Sequence, residues 1–340
     1  MKKIIRNIVL VIIVVLVAMG GFVYYKINSP AFGIQKASYI YINEEKNYLQ
    51  LMDQLKTAAH LKDVNLFERL AHMMKYSENV KSGRYEITPQ TTYLEAIRML
   101  RSGRQMPVKL TFNNIRLKED LSERIGEQML FDSDALLSRL NDPNVTASLG
   151  FDTITILAMF IPNTYEIYWN TPVDKFLERM KKEYNHFWTD QRREKANALH
   201  LSPVEVSTLA SIVEEETALP SEYPIVSGLY INRLRKGMPL QADPTVKFAV
   251  GDVSLRRIAN WHLHIESPYN TYLYSGLPPG PIRIPSIKGI DATLNYKEHN
   301  YLYMCAKEDF SGTHNFSIAF SEHLVNAKKY QDMLDRNHIW

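Results

Sequence analysis

The sequence predicts an α+β protein with an N-terminal membrane-spanning helix, a small α+β module and a larger, mainly helical domain. Three observations carry that expectation. An uncharged apolar run from Ile8 to Tyr25 follows Lys2, Lys3 and Arg6. Residues 38–107 twice set an alternating strand before an amphipathic helix. Beyond residue 200, helical periodicity with clean caps alternates with Pro/Gly turns.

About eighteen apolar residues at roughly 1.5 Å each nearly match the hydrocarbon thickness of a bilayer. Tyr24, Tyr25 and Lys26 read as an interfacial belt, so a retained anchor is favoured over a cleaved signal peptide. Positive charge before the run places residues 1–7 in the cytoplasm as a short tail and everything after residue 26 outside. The span is 8–25, and residues 26–37 read as a linker. In the module at 38–107, SYIYIN is a strand and Leu51, Leu55 and Ala58 mark the apolar side of the helix after it. A second helix covers Asn65–Lys75, a strand Arg84–Ile87, and a helix runs from Thr92 to Gly103. Residues 108–200 form a connecting region. It holds the strand VKLTFNN, helices at Leu117–Met129 and Asp134–Leu140, the extended FIPNTYEIYWNT, and one basic helical run from Val173 to Leu199 with a solvated charged face.

Composition narrows the function classes. The 340 residues suffice for two soluble domains. The formal charge of +3 gives no global pull toward nucleic acid. Cys305 is the sole cysteine, so no intrachain disulfide can form, and it reads as a packed small hydrophobe. No GxSxG, P-loop or dinucleotide glycine pattern is present, which argues against serine-hydrolase and nucleotide chemistry. His262, His264 and Glu266 lack further ligands at metal spacing and read as surface groups, so neither a metal nor a cofactor is expected.

The chemistry concentrates in the last region, 201–340, at LASIVEEETALP. Ser202, Pro203 and Glu205 form a capping box with proline at N1, and Pro220 marks the expected stop. Val206, Leu209, Ala210, Ile212 and Val213 make one broad apolar face. At about 100° per residue, Glu216 lies about 50° from its centre, Glu214 about 110° and Glu215 about 150°. Glu216 is therefore the carboxyl pushed toward dry surroundings, where desolvation can keep it protonated near neutrality as a proton donor. Downstream, VSGLYINRLRKGMPLQADPTV reads as a helix with basic residues in its last turn, then a polar loop with Gln241 and Asp243. SPYNTYLYSGLPPGPI offers a rigid wall carrying Asn270 and Tyr272, and SGTHNFS adds His314.

The order and spacing of ASIVEEET, INRLRKGMPLQADPTV, SPYNTYLYSGLPPGPI and GTHNFS, over about residues 200–325, resemble the endolytic murein transglycosylase family of cell-wall lyases. The anchor and the module fit it as well. The resemblance implies a LysM-like module at about 38–105 and a lysozyme- or transglycosylase-like catalytic domain. It assigns the catalytic glutamate to Glu216, in the Glu216–Thr217 pair. It also implies a lyase that cuts the MurNAc–GlcNAc bond of peptidoglycan strands through one carboxylate, leaving 1,6-anhydro ends and terminating nascent chains near cell-wall synthases. Gln241, Asp243, Asn270 and Tyr272 are expected to hold the glycan. Asn163, in IPNTY, stands where the family is expected to be acidic. Two alternatives stay open: a hydrolase using Glu166 as a second carboxylate, and a non-catalytic, membrane-anchored glycan-binding scaffold.

Overall fold

The computed structural model describes residues 2–252, 255 and 258–337. Met1 of the expected tail and the last three residues of region 201–340 lie outside them. The chain divides into two units. The first comprises Met1–Leu110, Gln128–Leu130 and Tyr165–Pro172, and the second Thr111–Glu127, Phe131–Thr164 and Val173–Trp340.

The first unit begins with α1 (Lys2–Ile27), a helix long and apolar enough to cross a membrane. The module then runs β1 (Ser38–Ile42), α2 (Tyr48–Thr57), α3 (Val64–Met73), β2 (Gly83–Ile87) and α4 (Tyr93–Ser102). β1 and β2 pair antiparallel with Ile40 opposite Tyr85, so the two strand–helix repeats share one sheet. Its core gathers Ile40, Leu51, Leu55, Phe67, Tyr85, Ile97 and Leu100. α4 starts at a Thr92–Glu95 capping box and stops at Gly103, where φ is +73°, a conformation that favours glycine. The stretch read as a linker is built into this core. Ala31 and Phe32 are buried, Ala31 N donates to Thr91 O at 3.0 Å, and Lys62 N donates to Ala31 O at 2.9 Å. Ala58, expected on the apolar side of α2, caps that helix and is exposed, and Ala59 takes the core position.

β3 (Val108–Phe112) pairs with β4 (Asn163–Ile167), with the Thr111 and Thr164 hydroxyls 2.8 Å apart. The second unit adds α5 (Lys118–Gly126), α6 (Ser133–Asn141), α7 (Pro143–Ser148) and a 3₁₀ turn at Ile156–Met159. The basic run expected as one helix is two: α8 (Val173–Phe187) and α9 (Asp190–Ala198). The break falls at the buried Trp188, and the Thr189 side chain caps α9 by accepting from Arg192 N. After these come α10 (Pro203–Glu216), α11 (Tyr223–Arg235), α12 (Asp243–Val250) and α13 (Ile287–Leu294). The hairpin β5 (Tyr303–Ala306) and β6 (His314–Ser317) precedes α14 (Phe320–Arg336). The polar loop expected after α11 turns helical at Asp243, with Pro244 in the first turn. The core of this unit centres on Leu209, Ile212, Val213, Val226, Tyr230, Leu240 and Ile282, which fixes α10 between its neighbours.

Candidate active site

The capping box of α10 forms as the sequence predicts: Ser202 Oγ accepts from Glu205 N and Glu205 accepts from Ser202 N. The helix is nevertheless buried far more widely than its apolar face. Ser207, Thr208 and Ser211 are also buried, their hydroxyls turned back to carbonyls of the preceding turn. Ser211 Oγ additionally accepts from Ile282 N at 3.1 Å. The helix does not reach Pro220. Thr217 is extended (φ −134°, ψ 136°), so Glu216 is the last helical residue.

Glu214 and Glu215 both find inward partners, so the expectation that they lie off the buried side is corrected. Glu214 is 9 % exposed and accepts from both the backbone N and the hydroxyl of Ser286, the N-cap residue of α13. Its charge thus sits at a helix N-terminus, where the dipole favours an anion. A side chain at Gly289 would collide with this carboxylate. Glu215 is bound by Arg116 and Arg283.

Glu216 differs in kind. The residue as a whole is half-buried, but its Oε2 is sealed from solvent and has no hydrogen-bond partner among the described residues. Burial, reinforced by the neighbouring Asp243 charge, pushes the carboxyl up to about 7, against a weaker opposing pull from the Tyr230 hydroxyl, Lys247 and Arg233. A carboxyl so held is a half-protonated acid near neutral pH. Tyr230 is fully buried on α11, and its own hydroxyl is raised well above the usual phenol value by burial and then by Glu216.

The residues expected to line a groove divide by what they touch. Asp243 is exposed at the start of α12 and accepts from the Tyr272 hydroxyl at 2.7 Å. Burial and that bond raise the Tyr272 phenol. Gln241 is exposed, with φ +50°, and its Oε1 accepts from Arg233 Nη1 at 3.2 Å. Asn270 is fully buried. Its amide donates to Leu263 O and Ile265 O, at 3.1 and 2.8 Å, and its Oδ1 accepts from Tyr272 N. Its side chain holds the turn that presents Tyr272. Arg233, read as a helix-end charge, is buried and clamps Leu302 O, Pro239 O and Leu240 O.

A second buried carboxylate escaped the sequence reading. Glu222, at the start of α11, accepts from His314 N and His314 Nδ1, both at 2.8 Å, and from Thr217 Oγ1 at 2.9 Å. Burial alone would raise it, but the His314 and Thr217 hydrogen bonds bring it below its ordinary value. It ties β6 to the residue that follows Glu216. The only sequence hint was His314 within GTHNFS. Glu166 and Asn163 are exposed on β4, and Glu166 is not among the groups acting on the Glu216 carboxyl. His262, expected at the surface, is buried and accepts from Ala259 N at 2.8 Å. Among the described residues no group of three His, Cys, Asp or Glu is placed to hold a metal ion.

The YceG-like family model matches residues 40–329. This chain belongs to that family. The expectation drawn from its motifs agrees with this. A Bacillus subtilis protein named endolytic murein transglycosylase is 34% identical over 162 residues, 47% of this chain and 44% of that protein. A Streptococcus pneumoniae protein of the same name is 24% identical over 335 residues, covering 87% of this chain and 60% of its own length. The chain thus matches about half of the length of these relatives. A solved YceG-like protein from Listeria monocytogenes superposes with a TM-score of 0.57 at 23% identity, over 86% of this chain and 99% of that one, a likeness of fold.

Proposed function

We propose that this family member is a membrane-anchored, endolytic peptidoglycan lytic transglycosylase with Glu216 as its catalytic residue. The observation that carries the reading is the dry Glu216 carboxyl, poised at about 7. In the proposed reaction, protonated Glu216 delivers its proton to the oxygen joining MurNAc to GlcNAc, and that bond breaks. The resulting carboxylate takes the proton of the MurNAc C6 hydroxyl, whose oxygen closes a 1,6-anhydro ring on the anomeric carbon. Glu216 ends protonated again, and no water is consumed. Asp243, fixed by Tyr272, would stabilise the positive charge that develops at the anomeric carbon.

Gln241, Asp243 and Tyr272 would contact the glycan, with Asn270 shaping the turn beneath. The small module would act as a LysM-like glycan holder. Helix α1 would keep the site outside the inner membrane, close to synthases and to nascent strands that the cut terminates. A second reading has one specific observation in its favour: Asp243 is an exposed carboxylate close enough to push Glu216 upward, and a pair of that kind can activate water in a hydrolase.

Digestion of defined, uncrosslinked glycan strands, with mass analysis of the new ends, tests these readings. Anhydro ends that vanish in Glu216→Gln, at a rate that falls above about pH 7, are expected. Reducing ends that need both Glu216 and Asp243 would mean hydrolysis. Strand binding with no product would mean a scaffold.

A further inference from the structure

One cavity shares Lys247 with the surroundings of the Glu216 carboxyl. It holds about 170 Å³ and is lined by Arg116, Leu117, Glu215, Lys247, Phe248 and Ile282, among others. Glu215 precedes Glu216 on α10, and the Lys247 charge is one of those that acts on Glu216. Lys247 thus belongs both to the wall of this cavity and to the surroundings of the acid.

The cavity lining carries two cations, Arg116 and Lys247, against one carboxylate, Glu215. Glu215 is bound by Arg116 and Arg283, and Arg283 also lies 3.9 Å from Glu214. Two arginines thus oppose two glutamates. Lys247 makes no ion pair among the described residues; Asp243, one turn earlier on α12, keeps its charge while accepting from Tyr272 and does not line the cavity. Below its raised pKa Glu216 is neutral and cannot balance the ammonium. Leu117, Phe248 and Ile282 make part of the lining apolar. A cavity whose lining joins an excess cation to apolar side chains suits a ligand that joins a carboxylate to small apolar groups.

Resting on the lytic transglycosylase reading, we infer that this cavity receives the acidic peptide branch of the muramyl sugar whose bond is cut. That branch hangs from the same sugar ring as the reacting anomeric carbon, so it must leave the acid along one of the neighbouring walls. It carries free carboxylates and small apolar side chains. The wall formed by α12 and Arg116 offers both matches at once. Recognition of the branch makes peptide-bearing strands better substrates than stripped ones and places Lys247 in specificity rather than in the chemical step.

The test compares kcat/KM on peptide-bearing strands with that on the same strands stripped by an amidase, using the full chain in detergent. Assays run at about pH 5.5, below the alkaline limb that loss of the Lys247 charge would move upward. The wild type is expected to prefer peptide-bearing strands about tenfold, the worth of one good charge-assisted contact. Lys247→Met should bring the ratio near one, mainly through KM, and Lys247→Arg should keep it. Equal cutting of both substrates by the wild type, or an unchanged ratio in Lys247→Met, overturns the inference. A preference that follows a lipid pyrophosphate on the strand end instead of the peptide also overturns it, and a third, lipid-linked and peptide-free substrate reads that out. If neither strand is cut, the transglycosylase reading fails, and binding of the two strand forms to Glu216→Gln protein still decides the cavity's role.

Discussion

Removing the Glu216 charge should stabilise the fold, and the gain should depend on pH. In the folded chain this carboxyl titrates at about 7, against an ordinary value of 4.5. The sign follows from linkage. Below the ordinary value the group is protonated in both states and costs nothing. Between the two values the unfolded chain loses its proton first, and stability is lost until pH passes the folded value. The span is about 2.5 units at about 1.4 kcal/mol each, so the full cost is about 3–4 kcal/mol. Glu216→Gln keeps the shape of the side chain and cannot ionise. Its stability relative to wild type should be nearly constant below about pH 4.5 and rise by about 3–4 kcal/mol by about pH 8. For a unit of this size, that is a gain in Tm of about 6–16 °C. Thermal unfolding followed by tryptophan fluorescence, with Trp188 buried in the same unit, measures it across the pH range. Only the pH-dependent part counts, because any loss of the Tyr230 hydrogen bond is constant with pH. A flat difference from about pH 5 to about pH 8 would refute the desolvated carboxyl and with it the proposed acid.

Two further variants probe the frame around Glu216. Glu222→Ala leaves His314 and Thr217 without their shared acceptor, and should cost about 2–3 kcal/mol by denaturant unfolding at neutral pH. Because the Glu222 pKa is lowered in the fold, that contribution is complete above its ordinary value and fades as pH falls through the lowered one. The variant's deficit should therefore shrink in acid and stay level from about pH 6 upward. Asn270→Ala strips two part-buried carbonyls of their donor and frees the Tyr272 turn. It should lower stability by about 2 kcal/mol, and circular dichroism melts that match wild type would contradict the role given to this side chain.

Several features were settled by the sequence alone, because they depend on neighbours a few residues apart. The Ser202–Glu205 capping box, the Thr92–Gly103 helix limits and the apolar span at the N-terminus are of this kind. Local spacing also singled out Glu216, through a wheel that assumes one wet side. α10 has no fully wet side, since its hydroxyl residues are buried too. What separates the three glutamates is the partner each one meets: a helix N-terminus for Glu214, two arginines for Glu215, and for Glu216 an oxygen that meets none. Those partners come from residues 116, 283 and 286, up to about a hundred positions away, and only packing brings them close. The same holds for Glu222 with His314, and for Lys247 beside the acid. Local spacing can say which side chains share a face. Whether a charge on that face is neutralised, solvated or left dry depends on what the rest of the chain packs against it.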